Sequence, residues 1–82
     1  MLKVASEPLE LRGISNTTSK KGTVYHTVNC ETEDGTPYGF YCPDVSAIAP
    51  GLKKGDKVRV YFNVRRFNKE QRLEVMNVEK VQ

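Results

Sequence analysis

Apolar residues alternate with polar ones along much of this chain, and this period of two restricts the fold more than any other feature of the sequence. The pattern is clearest at residues 57–65, where one face carries Val58, Val60, Phe62 and Val64 and the other carries Lys57, Arg59, Tyr61, Asn63 and Arg65. Since successive side chains of a β-strand point to opposite faces, this stretch predicts a strand with one buried face. The abundance of valine, tyrosine and phenylalanine also favours strands over helices.

The same period predicts five strands in all. The first is interrupted and covers 2–4 and 9–15, and the others cover 23–32, 37–42, 57–65 and a stretch from residue 72 towards the end. In the last strand the apolar pattern is interrupted between Val75 and Val78, so we expect a bulge near Met76 and Asn77.

Short polar or glycine-containing segments separate these strands. They are a loop or hairpin tip at 15–22, an Asp-Gly turn at 33–36, a short helical or irregular link at 43–51, a turn at 53–56 and a hairpin tip at 68–71. The main insertion without a strand lies between the third and fourth strands, which fits the Greek-key order of an OB fold. We therefore predict an all-β, five-stranded OB-fold-like Greek-key barrel, with an SH3-like barrel as the nearest alternative.

The length of the chain permits one domain. A chain of 82 residues buries only about 60–65% of the surface that its unfolded form exposes, so we predict a single domain over 1–82 with one core. Closing the sheet into a barrel suits such a small domain, because closure removes the strand edges that would otherwise pair with other chains.

Positive charge is concentrated in the second half of the chain. Residues 43–82 contain nine basic and five acidic residues, whereas residues 1–42 contain four basic and five acidic ones. This asymmetry suggests a polyanionic partner such as a nucleic acid, with an ordinary lysine-rich surface as an equal alternative.

The residue types that usually carry catalysis or metal binding are scarce. The single histidine, His26, falls on the predicted core face of the second strand with Val24, Val28 and Cys30, so we expect it to be a core or half-buried structural residue. Cys30 and Cys42 lack the C-x-x-C spacing of metal and redox sites, and we expect small buried hydrophobic residues, with a disulfide as the alternative. The sequence thus predicts neither an enzyme, nor a metal site, nor a cofactor.

Hydrophobic segments of membrane-spanning length are also missing from the sequence. None of the apolar runs approaches the roughly 20 residues of a membrane span, and the amino terminus has no signal-peptide core. We expect a cytoplasmic protein that does not bind membranes.

Two groups of residues combine aromatic rings with positive charge, as single-stranded nucleic-acid binding requires. Tyr25 lies opposite the predicted core face of the second strand and follows the basic residues Lys20 and Lys21. On the fourth strand, Tyr61 shares the polar face with Arg59 and Arg65, and Arg66 and Phe67 follow at the hairpin tip. We predict that these residues bind bases by stacking and the nucleic-acid backbone by charge.

The third strand offers two further tyrosines that the alternation does not separate. Tyr38 shares a face with Phe40 and Cys42, and Tyr41 takes the opposite face. Either face could be the core, so both Tyr38 and Tyr41 remain candidates for contact with a ligand.

Several segments together resemble the small single-stranded DNA-binding, helix-destabilising proteins of filamentous phages. They are the opening Met1-Leu2-Lys3-Val4, the loop Ser19-Lys20-Lys21-Gly22-Thr23-Val24-Tyr25, Cys30, Ala49-Pro50-Gly51-Leu52 and a valine-rich closing strand. The resemblance implies an OB-like barrel, a homodimer and cooperative coating of single-stranded DNA. It also implies backbone contacts by Lys20 and Lys21, stacking by Tyr25 and Tyr38, and a partner-subunit contact at the tip that holds Phe67.

The leading hypothesis is a largely sequence-independent single-stranded DNA-binding protein that protects replication intermediates of a phage or mobile element in the host cytoplasm. The alternatives are an RNA-binding OB module and a barrel that binds a peptide through its exposed aromatic residues.

Overall fold

The computed structural model describes residues 2–81, with the side chain of Phe67 excepted. The strands are β1 (Leu2–Ala5), β2 (Leu9–Thr18), β3 (Val24–Glu31), β4 (Pro37–Cys42), β5 (Lys57–Phe67) and β6 (Glu70–Lys80), and a 3-10 helix spans Val45–Ala47. Five strands close into a barrel in the order β2-β3-β4-β6-β5, with β5 pairing back onto β2. All of these pairs are antiparallel except β4 with β6, which is parallel. The predicted all-β, OB-like Greek-key barrel is confirmed.

The first strand of the barrel is interrupted, as the sequence predicts. β1 and the start of β2 pair with the same edge of β5, through Leu2↔Val64 at one end and Leu9↔Val58 at the other. Between them, the backbone N–H of Ser6 donates to Val60 O (2.8 Å) and Ser6 Oγ accepts from Val60 N (3.0 Å). The serine thus continues the pairing across the break.

The inward faces of the strands form one core. It consists of Leu9, Leu11, Val28, Cys30, Cys42, Val58, Val60, Phe62, Val75 and Val78, with Phe40, Ile48 and Leu52 packed against it. The alternation at 57–65 predicts the buried residues of β5 correctly as far as Phe62. Val64 is only half-buried and its cross-strand partner Leu73 is exposed, because the β5–β6 hairpin continues past the core.

The prediction that Val24 on β3 lies in the core is wrong. Val24 is 52% exposed, because the β2–β3 hairpin also extends past the packed interior. His26 is half-buried, and its Nδ1 donates to Asn16 Oδ1 on β2 (2.6 Å). This hydrogen bond gives His26 a structural partner within the hairpin.

Two predicted loops are shorter in the structure. β2 continues to Thr18, so the loop predicted at 15–22 reduces to a tight turn in which Gly22 (φ 84°) donates to Ser19 O. The tip predicted at 68–71 reduces to Asn68 and Lys69, both with positive φ (48° and 67°), as in two-residue hairpin turns of type I′. Sequence reasoning missed this turn because lysine rarely takes positive φ.

Two bulges adjust the barrel. On β6, Tyr61 pairs with Asn77 and Phe62 with Val75, so Met76 is the extra residue, and the bulge predicted near Met76 is confirmed. On β2, Leu11 pairs with Cys30 and Gly13 with Asn29, so Arg12 is extra and Gly13 has a φ of 149°. L-residues with side chains rarely adopt that conformation, so the β2 bulge depends on glycine.

Replacing Gly13 with alanine should destabilise the protein by about 1–2 kcal/mol. A Cβ at this position would meet no atom within 4 Å, so the cost would come from the backbone conformation alone. Chemical denaturation followed by circular dichroism measures the loss. D-alanine at position 13, introduced by chemical synthesis, should be tolerated because its preferred φ has the opposite sign. Equal stability of Gly13→Ala and the unsubstituted protein would contradict this role of the bulge.

Across residues 2–81, the structure contains no helix whose length and apolar character would allow it to span a membrane.

Candidate nucleic-acid interface

Two exposed tyrosines meet on the outer face of β3 and β4. Tyr25 is three residues from the buried Val28 on β3, so the strand alternation turns it to the opposite, outer face. On β4, Tyr41 lies between the inward-facing Phe40 and Cys42, so its ring also points away from the core. Their centroids lie 5.7 Å apart with the planes tilted by 57°. Each of the two residues is 39% exposed, so both are accessible to a ligand.

Three arginines of the β5–β6 hairpin line the same groove as the tyrosine pair. Arg65 and Arg72 are direct cross-strand partners, and Arg66 follows Arg65 towards the tip. With the two tyrosines and Glu74 they line an open groove of about 720 Å³, called here the tyrosine–arginine groove: Tyr25, Tyr41, Arg65, Arg66, Arg72 and Glu74. The groove therefore joins the outer face of β3 and β4 to the β5–β6 hairpin.

The charge of the tyrosine–arginine groove is positive. Three arginines and one glutamate line it, and Arg65 Nε lies 3.3 Å from Glu74 Oε1. The Arg65 side chain is 58% exposed while that of Glu74 is 18% exposed, so the arginine remains accessible to an anion. Guanidinium groups bind phosphate oxygens in pairs and also stack on aromatic rings.

Lys20 and Lys21 lie outside the residues that line this groove. Both are exposed in the tight turn between β2 and β3, immediately before the strand that carries Tyr25. Ser19 holds the turn through its hydroxyl, which accepts from the backbone N–H of Thr23 (3.2 Å). The two ammonium groups can therefore extend positive charge beyond the groove along β3.

The structure places Tyr38 in different surroundings. Its ring stacks on Phe40 with a centroid distance of 6.0 Å and an angle of 3°, and Phe40 in turn contacts Phe62 edge-on (4.8 Å). The exposed side of Tyr38 borders a hollow that Glu7, Thr32, Glu33, Asp34 and Thr36 also line. These carboxylates repel phosphate, so of the two β4 tyrosines it is Tyr41 that joins the positive groove.

Three residues of β5 that were predicted to bind together, Arg59, Tyr61 and Arg65, have different surroundings in the structure. Arg65 belongs to the tyrosine–arginine groove, whereas the Tyr61 hydroxyl donates to Glu79 Oε2 (3.3 Å) beside β1. Arg59 pairs in register with the same Glu79. Arg66 lines the groove, and the side chain of Phe67 lies outside the described part of the structure.

Sequence reasoning missed two residues of the groove, Arg72 and Glu74. Both lie on the fifth predicted strand, whose outer face carried no aromatic residue to draw attention to it. The signal that could have found them is the hairpin register, since pairing β5 with β6 around a turn at 68–69 places Arg72 opposite Arg65.

The two cysteines belong to the core. Both are buried free thiols. Burial raises the pKa of the Cys30 thiol to about 11 and also raises the pKa of the Cys42 thiol, whose S–H donates to Asp44 O (3.2 Å). Protonated thiols are poor nucleophiles and poor metal ligands. Within residues 2–81, no group of three or more His, Cys, Asp and Glu side chains is arranged to hold a metal ion.

No protein-family model matches the chain, and no curated protein is significantly similar to it in sequence.

Proposed function

We propose that this protein binds single-stranded DNA, largely without regard to sequence, through the tyrosine–arginine groove. The observation that carries the proposal is the joining of two exposed tyrosines and three arginines in one groove. The groove lies on β3 and β4, which are the second and third strands of the closed barrel, and on the β5–β6 hairpin, which joins its last two strands. OB folds use these regions to bind oligonucleotides.

The tyrosine pair supports a single-stranded ligand. A base in a duplex is covered on both faces by its neighbours, whereas a base of a single strand can stack on a protein ring. Tyr25 and Tyr41 are tilted by 57°, so the two rings suit successive bases of a bending strand better than the two faces of one base. Stacking accepts any base, which accounts for binding that is largely independent of sequence.

The arginines support a polyanionic ligand. Arg65, Arg66 and Arg72 line the same groove as the tyrosine pair, and phosphates that follow the stacked bases would reach this positive charge. Lys20 and Lys21 would continue the backbone contacts. We extend the proposal to the coating of replication intermediates of a phage or mobile element by a homodimer, as the family resemblance implies.

Titration with (dT)12 tests the proposed function directly. The chain has four tyrosines and no tryptophan, so quenching of its fluorescence reports on tyrosine stacking. We expect quenching, and an affinity that falls with salt with a log–log slope of roughly −2 if three arginines contact phosphates. Tyr61→Phe is the matched control and should leave the quenching intact. Absence of quenching, or an affinity independent of salt, would refute the proposal.

The same titration separates the alternatives. Tighter binding of (rU)12 than of (dT)12 at equal salt would identify an RNA-binding module instead. A peptide-binding barrel would bind neither oligonucleotide with a salt-dependent affinity.

A further inference from the structure

Glu74 is an unexpected residue in a groove that binds a polyanion. Among the described residues it contributes the one carboxylate that lines the tyrosine–arginine groove. It is also the direct register partner of Tyr41 across the parallel pairing of β4 with β6. A carboxylate at this position repels phosphate, so a nucleic-acid ligand would meet it more favourably with a base than with its backbone.

The position of Glu74 suits the edge of a base. Paired strands lie about 4.8 Å apart, so a base stacked on Tyr41 would extend its edge over the neighbouring strand that carries Glu74. An ionised carboxylate only accepts hydrogen bonds. It therefore favours a base that presents an amino group and disfavours one that presents a carbonyl oxygen, and carboxylates pair with the N4 amino group of cytosine in this way.

Arg65 holds the carboxylate in place for such a contact. Its Nε lies 3.3 Å from Glu74 Oε1, and the Glu74 side chain is only 18% exposed. The ion pair engages one carboxylate oxygen and restricts the rotamers of the side chain. The second oxygen, Oε2, has its own lone pairs with which to accept from a base.

We infer that Glu74 accepts a hydrogen bond from the exocyclic amino group of the base stacked on Tyr41, which gives the groove a preference for cytosine over uracil and thymine. This inference rests on the proposed binding of single-stranded DNA. A preference at one base position is compatible with binding that is otherwise independent of sequence, because the remaining contacts are to phosphates and ring faces.

The test compares (dC)12 with (dU)12, which both lack the thymine methyl group and differ in the C4 substituent and the protonation of N3. Dissociation constants are measured at the same salt concentration for the unsubstituted protein, Glu74→Gln and Glu79→Gln. We expect the unsubstituted protein to bind (dC)12 roughly fivefold more tightly, as one charge-assisted contact to a base predicts. Glu74→Gln should abolish the preference, because an amide both donates and accepts hydrogen bonds.

Glu79→Gln is the matched control, since it removes the same charge from the same strand outside the groove. It should keep the fivefold preference. If both variants raise the affinity for both oligonucleotides without changing their ratio, Glu74 acts only through its charge and the inference is wrong. Equal binding of (dC)12 and (dU)12 by the unsubstituted protein would also refute it while leaving the proposed function intact. Failure to bind either oligonucleotide would refute the proposed function itself.

Discussion

Replacing Tyr25 and Tyr41 together with alanine should weaken binding of (dT)12 by about 2–4 kcal/mol, or roughly 30- to 700-fold. Each ring would lose the stacking of one base, and both side chains are exposed, so the barrel should remain folded. Fluorescence anisotropy of a labelled oligonucleotide measures the loss, since the variant lacks the tyrosines that report binding by quenching. Circular dichroism verifies the fold.

Two further variants identify the origin of this effect. Changing Tyr25 and Tyr41 to phenylalanine should retain most of the affinity, because stacking needs the ring and not the hydroxyl group. Tyr38→Ala serves as the aromatic control, since Tyr38 lies outside the groove beside Glu33 and Asp34. A loss at Tyr38 as large as that of the double variant would show that the binding surface lies elsewhere on the barrel.

The largest loss of stability should follow from Phe62→Ala, at about 3–5 kcal/mol. Phe62 is 5% exposed, and its ring contacts Phe40 edge-on with a centroid distance of 4.8 Å. Truncation would leave a cavity beneath Phe40, whose ring in turn supports Tyr38. Since small domains have total stabilities of about 5–15 kcal/mol, this variant should be close to unfolding at room temperature.

Urea denaturation followed by circular dichroism measures the effect of Phe62→Ala, and Val4→Ala provides a control matched by register. Val4 is the cross-strand partner of Phe62 on β1 but is 40% exposed, so we expect its loss to stay below about 1 kcal/mol. A loss of less than about 1.5 kcal/mol for Phe62→Ala would contradict the position of Phe62 at the centre of the core.

The two predictions concern residues on the outer and inner faces of the barrel strands. Phe62 and Tyr41 differ in role because each lies on a strand whose alternation sends one parity inward and the other outward. The inward parity supplies a core that holds the strands in register. The outward-facing positions can then carry aromatic and charged side chains without loss of stability.

Much of the interface could be predicted because the face to which a strand side chain points depends only on its neighbours in the chain. The outward direction of Tyr25 follows from its neighbours in the chain alone, and so does the inward direction of Val58, Val60 and Phe62. On β4 the alternation separates the two tyrosines but does not decide which face is the core. Packing of Phe40 against Phe62 decides it, and thereby turns Tyr41 outward.

The sequence by itself determined the strands, the break in the first of them and the bulge near Met76, because these depend on residues adjacent in the chain. Tertiary structure alone decided which residues share the groove. Tyr41 meets Glu74 only through the single parallel pairing that closes the barrel, between strands separated by β5 in the chain. That closure depends on packing of the whole core, which no local pattern encodes, and it brings Arg72 and Glu74 into one groove with the tyrosine pair.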